Sequence, residues 1–280
     1  MCCRAISRYY PVRPPPESPH LDAKKARLGA IELGSLNVHA FISDHAILLD
    51  RSKLAFAGGT MRLWARVSRH QAGLLSSDTS LTFDNINLDE LTRTVITKAS
   101  PTPGLLSGHL TAVALSNNWH NAIGSGELKI TQSNLAGSTI MASIYRLMNV
   151  RLKANHPTGT GEARWRIDGG NAQITYLHYF DRGVEILGAG ELDNIWKLPD
   201  STLKGYVIGT VRPFKNLHIP FIPQAKAILN ALESSVSSVQ VAGTWAHPTT
   251  TPVVFKNLGT AIQEIFVNAI VGNQSSSSGQ

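Results

Sequence analysis

Apolar and polar residues alternate with a period of two along most of the chain. Leu36, Val38, Ala40 and Ile42 share one phase, as do Met61, Leu63, Ala65 and Val67. Leu128 with Ile130, then Ala163, Trp165 and Ile167, then Val184 with Ile186, then Leu203, Val207 and Val211 repeat the pattern. Successive side chains of an extended chain point to opposite sides, so each run predicts a strand with one apolar face. Further strands are predicted at 47–49, at 54–57, around Leu81 and Phe83, at 106–115, at 172–180 and at 239–245. Gly58-Gly59, Asn117-Asn118, Gly169-Gly170 and Asp181-Arg182-Gly183 read as turns between them. The stretches 149–154 and 161–167 flank His156-Pro157-Thr158 and are predicted to pair as a hairpin.

The period lengthens to that of a helix in about four places. Residues 88–98 carry Leu88, Leu91, Val95 and Ile96 on one side, and Asn87 with Glu90 three positions on reads as the N-cap. Residues 138–148 group Ile140, Ile144, Leu147 and Met148. Residues 223–235 and 258–270 complete the set, the first with Pro223 at its opening turn. The fold class expected is mainly β: an elongated, curved antiparallel sheet with about four short amphipathic helices.

One phrase recurs within the strands. Gly124-Ser125-Gly126-Glu127-Leu128, Gly159-Thr160-Gly161-Glu162-Ala163 and Gly188-Ala189-Gly190-Glu191-Leu192 share it, with the glycines in the apolar phase each time. Gly59, Gly108, Gly205, Gly209 and Gly243 hold the same phase in other strands. A glycine there removes a side chain from the oily face and lets a sheet bend or a neighbour approach. Gly126, Gly161 and Gly190 are therefore the candidate bending positions.

A dozen or more one-sided strands outnumber what four short helices can cover. The apolar face must meet a second sheet, close into a barrel, or hold a non-protein partner. Leu63, Ala65, Val67, Leu128, Ile130, Trp165, Ile167, Val184, Ile186, Val207 and Val241 are the candidate lining of an open trough for lipid. The same residues would equally form the core of a closed β-sandwich, an interaction module for envelope assembly or glycan binding. The two architectures share this pattern.

Composition adds a boundary at each end. Residues 1–27 are basic and proline-rich and are expected to be disordered; 28–271 form the folded region; 272–280 are a serine-rich tail. The net charge of +7 favours anionic partners in general. The two cysteines, Cys2 and Cys3, are adjacent and form no disulfide framework or metal site. No apolar run approaches the roughly 20 residues of a membrane-spanning helix.

Candidate chemistry is sparse. The ten histidines are scattered without a metal-ligand spacing, and neither a nucleophile elbow nor a Gly-Lys-Ser/Thr phosphate loop occurs. No catalytic residue, metal or cofactor is assigned. Glu127, Glu162 and Glu191 lie in the polar phase near Lys129, Arg164 and Arg166, which suits exposed cross-strand pairs rather than a calcium ladder. Arg151, Lys153, Arg164 and Arg166 are expected on one outer face, but Trp165 is out of phase with them, which argues against stacking on nucleic acid.

An ordered set of pieces resembles the C-terminal region of the AsmA-like family, which includes TamB-type proteins. They are Gly59-Thr60-Met61-Arg62-Leu63, Phe83-Asp84-Asn85-Ile86-Asn87-Leu88 running into a helix, and Gly104-Leu105-Leu106-Ser107-Gly108. The glycine phrase leading to the 138–148 helix follows, then Gly188-Ala189-Gly190-Glu191-Leu192-Asp193, then Val241-Ala242-Gly243-Thr244-Trp245 before Pro248. The resemblance covers about residues 30–270. It implies a curved β-groove in the envelope of a diderm bacterium, in the periplasm and tied to the inner membrane, moving phospholipid toward the outer membrane without catalytic residues. The family's N-terminal membrane anchor is not in this chain, so membrane association is expected through a missing N-terminal part or partner proteins.

Overall fold

The computed structural model describes residues 20–24, 26–28, 31–70, 74–95, 102–115, 119–135, 138–150, 157–197, 200–211 and 236–253. The protein is mainly β. Its strands are β1 (His20–Ala23), β2 (Ala26–Leu28), β3 (Ile31–Leu33), β4 (Leu36–Ser43), β5 (Ala46–Phe56), β6 (Gly59–Arg69), β7 (Leu75–Asn87) and β8 (Leu105–Leu115). They continue as β9 (Ile123–Ser133), β10 (Gly159–Asp168), β11 (Asn171–Asp181), β12 (Val184–Asp193), β13 (Thr202–Thr210), β14 (Val236–Gly243) and β15 (Pro248–Pro252). Thirteen of them make one open sheet in the order β1, then β4 through β15, while β2 and β3 pair separately. Every pairing is antiparallel and, from β4 onward, joins sequence neighbours. At about 4.8 Å per strand the sheet is on the order of 60 Å across. Because the described strands form an open sheet, they do not build the two facing layers of a sandwich.

The register keeps the apolar phase on one side from β4 to β14, interrupted by Ser52, Ser77 and Thr79. Leu49 faces Ala65, Leu63 faces Leu81, Leu110 faces Gly126, Leu128 faces Ala163 and Ile186 faces Gly209. One-residue bulges interrupt β5, β7, β9 and β11 without inverting the faces, since the side-chain phase resumes beyond each. Arg51, Asn85 and Gln132 take positive φ at three of them. The amide freed by the Asn85 bulge donates to Ser107 Oγ at 3.0 Å.

Tight turns follow the local sequence. Ala57 and Gly58 both have positive φ between paired Phe56 and Gly59, and Arg182 and Gly183 repeat this between Asp181 and Val184. Both fit the two-residue hairpin turn whose twist matches the strands. The first turn is thus Ala57-Gly58, with Gly59 already in the strand.

Two α-helices lie among the described residues, α1 (Leu88–Val95) and α2 (Thr139–Leu147). The helices expected at 223–235 and 258–270 lie outside the described residues, as do the last residues of 88–98. Asn87 caps α1 as expected, its Oδ1 accepting from the amides of Asp89 and Glu90. Ser138 caps α2, accepting from the amide of Met141. Two expectations are corrected. Residues 161–167 pair with β9 and β11, not with 149–154, whose residues 151–154 lie outside the described residues. Residues 20–23 and 26–27, within the stretch expected to be disordered, lie in β1 and β2; β1 lies against β4 and β2 against β3.

Candidate functional site

The apolar face has a glycine opposite each of its aromatic rings. Phe56 faces Gly59, Phe83 faces Gly108, Trp165 faces Gly126 and Tyr179 faces Gly161. These are direct cross-strand partners, and the rings of Phe83, Trp165 and Tyr179 take the space their glycines leave, whereas a side chain on Gly59 would meet the backbone of Asp84 and Asn85. A Cβ on Gly126 would sit 2.4 Å from Trp165 Cζ2; one on Gly108 would sit 2.8 Å from Phe83 Cζ; one on Gly161 would sit 3.0 Å from Tyr179 Cδ2. Gly190 and Gly205 face each other instead, each Cβ position 3.0 Å from the other's Cα. The immediate role of Gly126 and Gly161 is to seat a ring, so that the face is filled rather than notched. That pairing is the feature the sequence reading missed. Its signal, a large aromatic and a glycine in the same phase of neighbouring strands, was present.

The face has two halves. Over β11–β14 it is buried, with α2 lying against β13, β14 and β15. Met141, Ile144 and Tyr145 pack with Ala172, Tyr179, Val184, Ile186, Leu192, Leu203, Val207, Val239 and Val241 into one cluster. Gly209 lets the helix come close, since a Cβ there would lie 2.5 Å from Ile144 Cγ2. Ser143 Oγ and Thr250 Oγ1, 2.7 Å apart, tie the helix to β15. Of the candidate lining residues, Val184, Ile186, Val207 and Val241 therefore lie in this core, and Ile167 packs against it half-buried. Leu63, Ala65, Val67, Leu128, Ile130 and Trp165 lie on the other half, between β6 and β10, and all are half-buried. Farther toward β4, Ile42 and Ile47 face each other and are exposed. The sequence brings all eleven residues to one face, and α2 divides them.

Burial shapes the phenols between α2 and the sheet. The Tyr145 hydroxyl is buried without a hydrogen-bond partner, and burial first, then the neighbouring Tyr179 and Asp181, hold its pKa well above the usual phenol value. Burial also raises Tyr179, whose hydroxyl lies 3.4 Å from Ser133 Oγ and 3.4 Å from the Leu135 amide that donates to it.

The opposite face carries cross-strand polar contacts. Glu127 lies 3.3 Å from His109 Nδ1 and 4.0 Å from Arg164 Nε, and the Arg164 guanidinium stands 5.4 Å from the centre of the Tyr176 ring. His178 Nε2 meets Glu185 Oε1 at 2.8 Å, half-buried. Leu187 and Ile208 face each other on this same side and are each 1% exposed, so β12 and β13 are buried on both faces there. Among the described residues no group of His, Cys, Asp or Glu is placed to hold a metal, and no helix is long and apolar enough to cross a membrane. Arg151 and Lys153, expected beside Arg164 and Arg166, lie outside the described residues.

No family model, curated protein or solved structure matches the chain.

Proposed function

We propose that the open half of the apolar face, from β4 to β10, forms the floor of a curved groove that holds the acyl chains of a phospholipid. The single observation behind it is an apolar phase kept on one side from β4 to β14, whose large residues from Ile42 to Trp165 are only half-buried or exposed apart from Ile86, which is buried. Soluble proteins rarely present apolar surface on that scale without a partner. The ring-on-glycine pairs support the same reading, because they leave a continuous apolar surface instead of separate notches. Bulges in β5, β7, β9 and β11 add local twist and bend, which suits a trough over a flat sheet.

The work of such a groove is transfer, with no bond made or broken. Each buried methylene is worth roughly 0.8 kcal/mol, so two acyl chains hold a phospholipid in its bilayer by about 20 kcal/mol or more. A dry apolar track lowers the cost of leaving while the headgroup stays in water at the open edge. In keeping with the resemblance to AsmA-like proteins, this chain would be a non-enzymatic segment of a bacterial envelope protein, carrying phospholipid across the periplasm from inner to outer membrane. The test is detergent-free purification of the folded chain followed by mass spectrometry of a solvent extract. Phospholipid in stoichiometric amounts is expected. A natively folded preparation with none overturns the reading.

A further inference from the structure

We infer that strands β4–β6 carry a binding site for a phosphate group on the polar face of the sheet, the side away from the apolar floor. Three independent features meet there. A concavity of about 510 Å³ is bordered by Asn37 and His39 from β4, Arg51 and Lys53 from β5 and Thr60 from β6. Lys53 stands directly opposite Arg62 in the β5–β6 register. Arg51 occupies the β5 bulge with φ 51°, a left-handed conformation that a long side chain seldom takes.

Like charges placed directly across a strand pair repel and destabilise it. Neither Lys53 nor Arg62 has a carboxylate partner among the described residues, whereas the nearby acids are engaged. Asp50 lies 3.6 Å from Arg51 Nε and faces His39 in register, and Asp22 accepts a hydrogen bond from Asn37 Nδ2 at 2.7 Å. Lys53 borders the concavity and Arg62 stands next to it across the strand pair, so an anion held there would offset the repulsion at Lys53 that the sheet itself leaves uncompensated. Bulges commonly re-aim a side chain at a site. Here the bulge holds Arg51 beside the concavity with its side chain 87% exposed. Guanidinium, ammonium, amide and hydroxyl donors around one hollow suit a group with several acceptor oxygens, which is the chemistry of phosphate. Because the site lies on the opposite face, it stands or falls separately from the lipid groove.

The experiment titrates the folded chain with inorganic phosphate at constant ionic strength and follows backbone amide shifts. Saturable shifts centred on β4–β6 are expected, with affinity reduced about tenfold by Lys53→Gln or Arg62→Gln. Without phosphate, Lys53→Gln is expected to keep or raise the melting temperature at low salt, which separates lost binding from lost folding. Shifts that chloride reproduces, that do not saturate, or that both variants retain overturn the proposal. Once phosphate binding is seen, flotation with phosphatidylglycerol vesicles identifies the source. Competition by phosphate assigns a lipid headgroup, and absence of competition assigns a free phosphorylated solute.

Discussion

Trp165 stands directly across from Gly126 in the β9–β10 pair, with its ring over the place where a glycine side chain would begin. The two residues are 39 positions apart and separated by α2, yet each accounts for the other. Gly126→Ala puts a methyl against Cζ2 of the ring and is expected to cost about 1–3 kcal/mol, although alanine is ordinarily the better strand residue. In the Trp165→Ala background the same change is expected to cost at least about 1 kcal/mol less. Urea unfolding of the four proteins checks the coupling, and strict additivity would remove Trp165 as the reason for the glycine.

Gly209 and Ile144 make the equivalent contact between sheet and helix. Ile144 is fully buried, so Ile144→Ala is expected to cost about 2–5 kcal/mol. Gly209→Ala alone pushes on Ile144 Cγ2 and is expected to destabilise as well. Combined, the two changes should cost less than their sum, because the new methyl enters the space the isoleucine vacates. Denaturant midpoints for the singles and the double decide it.

Much of this was legible before the fold. The period-two phase placed the strands, Asn87 with Glu90 marked the start of α1, and the glycines were seen to share the apolar phase. Register was not legible. The local signal at His156-Pro157-Thr158 pointed to a hairpin, while the true partner of β10 lay on the far side of α2. Arg51 and Gln132 are not residue types that favour positive φ, so nothing in their identity announced the bulges they occupy, whereas Asn85 is of a type that takes it readily. The short β1 and β2 were hidden by proline and charge around them. An open sheet and a sandwich write the same alternation, and only pairing distinguishes them.

Tyr145 and Tyr179 should respond oppositely to loss of a hydroxyl. The Tyr145 hydroxyl is buried and unpartnered, so Tyr145→Phe is expected to be neutral or to stabilise by up to about 1 kcal/mol. Tyr179→Phe gives up its contacts with Ser133 and Leu135 and is expected to cost about 1 kcal/mol. Equilibrium unfolding in urea at neutral pH measures both.

Both phenols also link stability to alkaline pH. Burial raises their folded pKa values above the ordinary value of 10.0, so the unfolded chain releases these protons first. Their contribution is present in full below pH 10 and is lost as pH rises through 10 toward the raised folded values. Stability measured at pH 9, 10 and 11 should therefore fall, and less steeply in Tyr145→Phe. An unchanged slope in that variant would mean its phenol ionises alike in both states.

Polar substitutions should separate the two halves of the apolar face. Ile186 is 0% exposed beneath α2, so Ile186→Asn strands an amide in the core and is expected to unfold the chain or lower its melting temperature steeply. Leu63 and Leu128 are only half-buried, so Leu63→Asn and Leu128→Asn leave the new amide access to water, and each is expected to cost about 1–2 kcal/mol. If acyl chains lie along that floor, an amide there has no partner when lipid covers it, a penalty of about 1–3 kcal/mol on binding. The double variant Leu63→Asn/Leu128→Asn is thus expected to stay folded by circular dichroism and to lose most of its co-purified phospholipid. A folded double variant that keeps its full lipid content would move the ligand off this face, whatever the fate of Ile186→Asn.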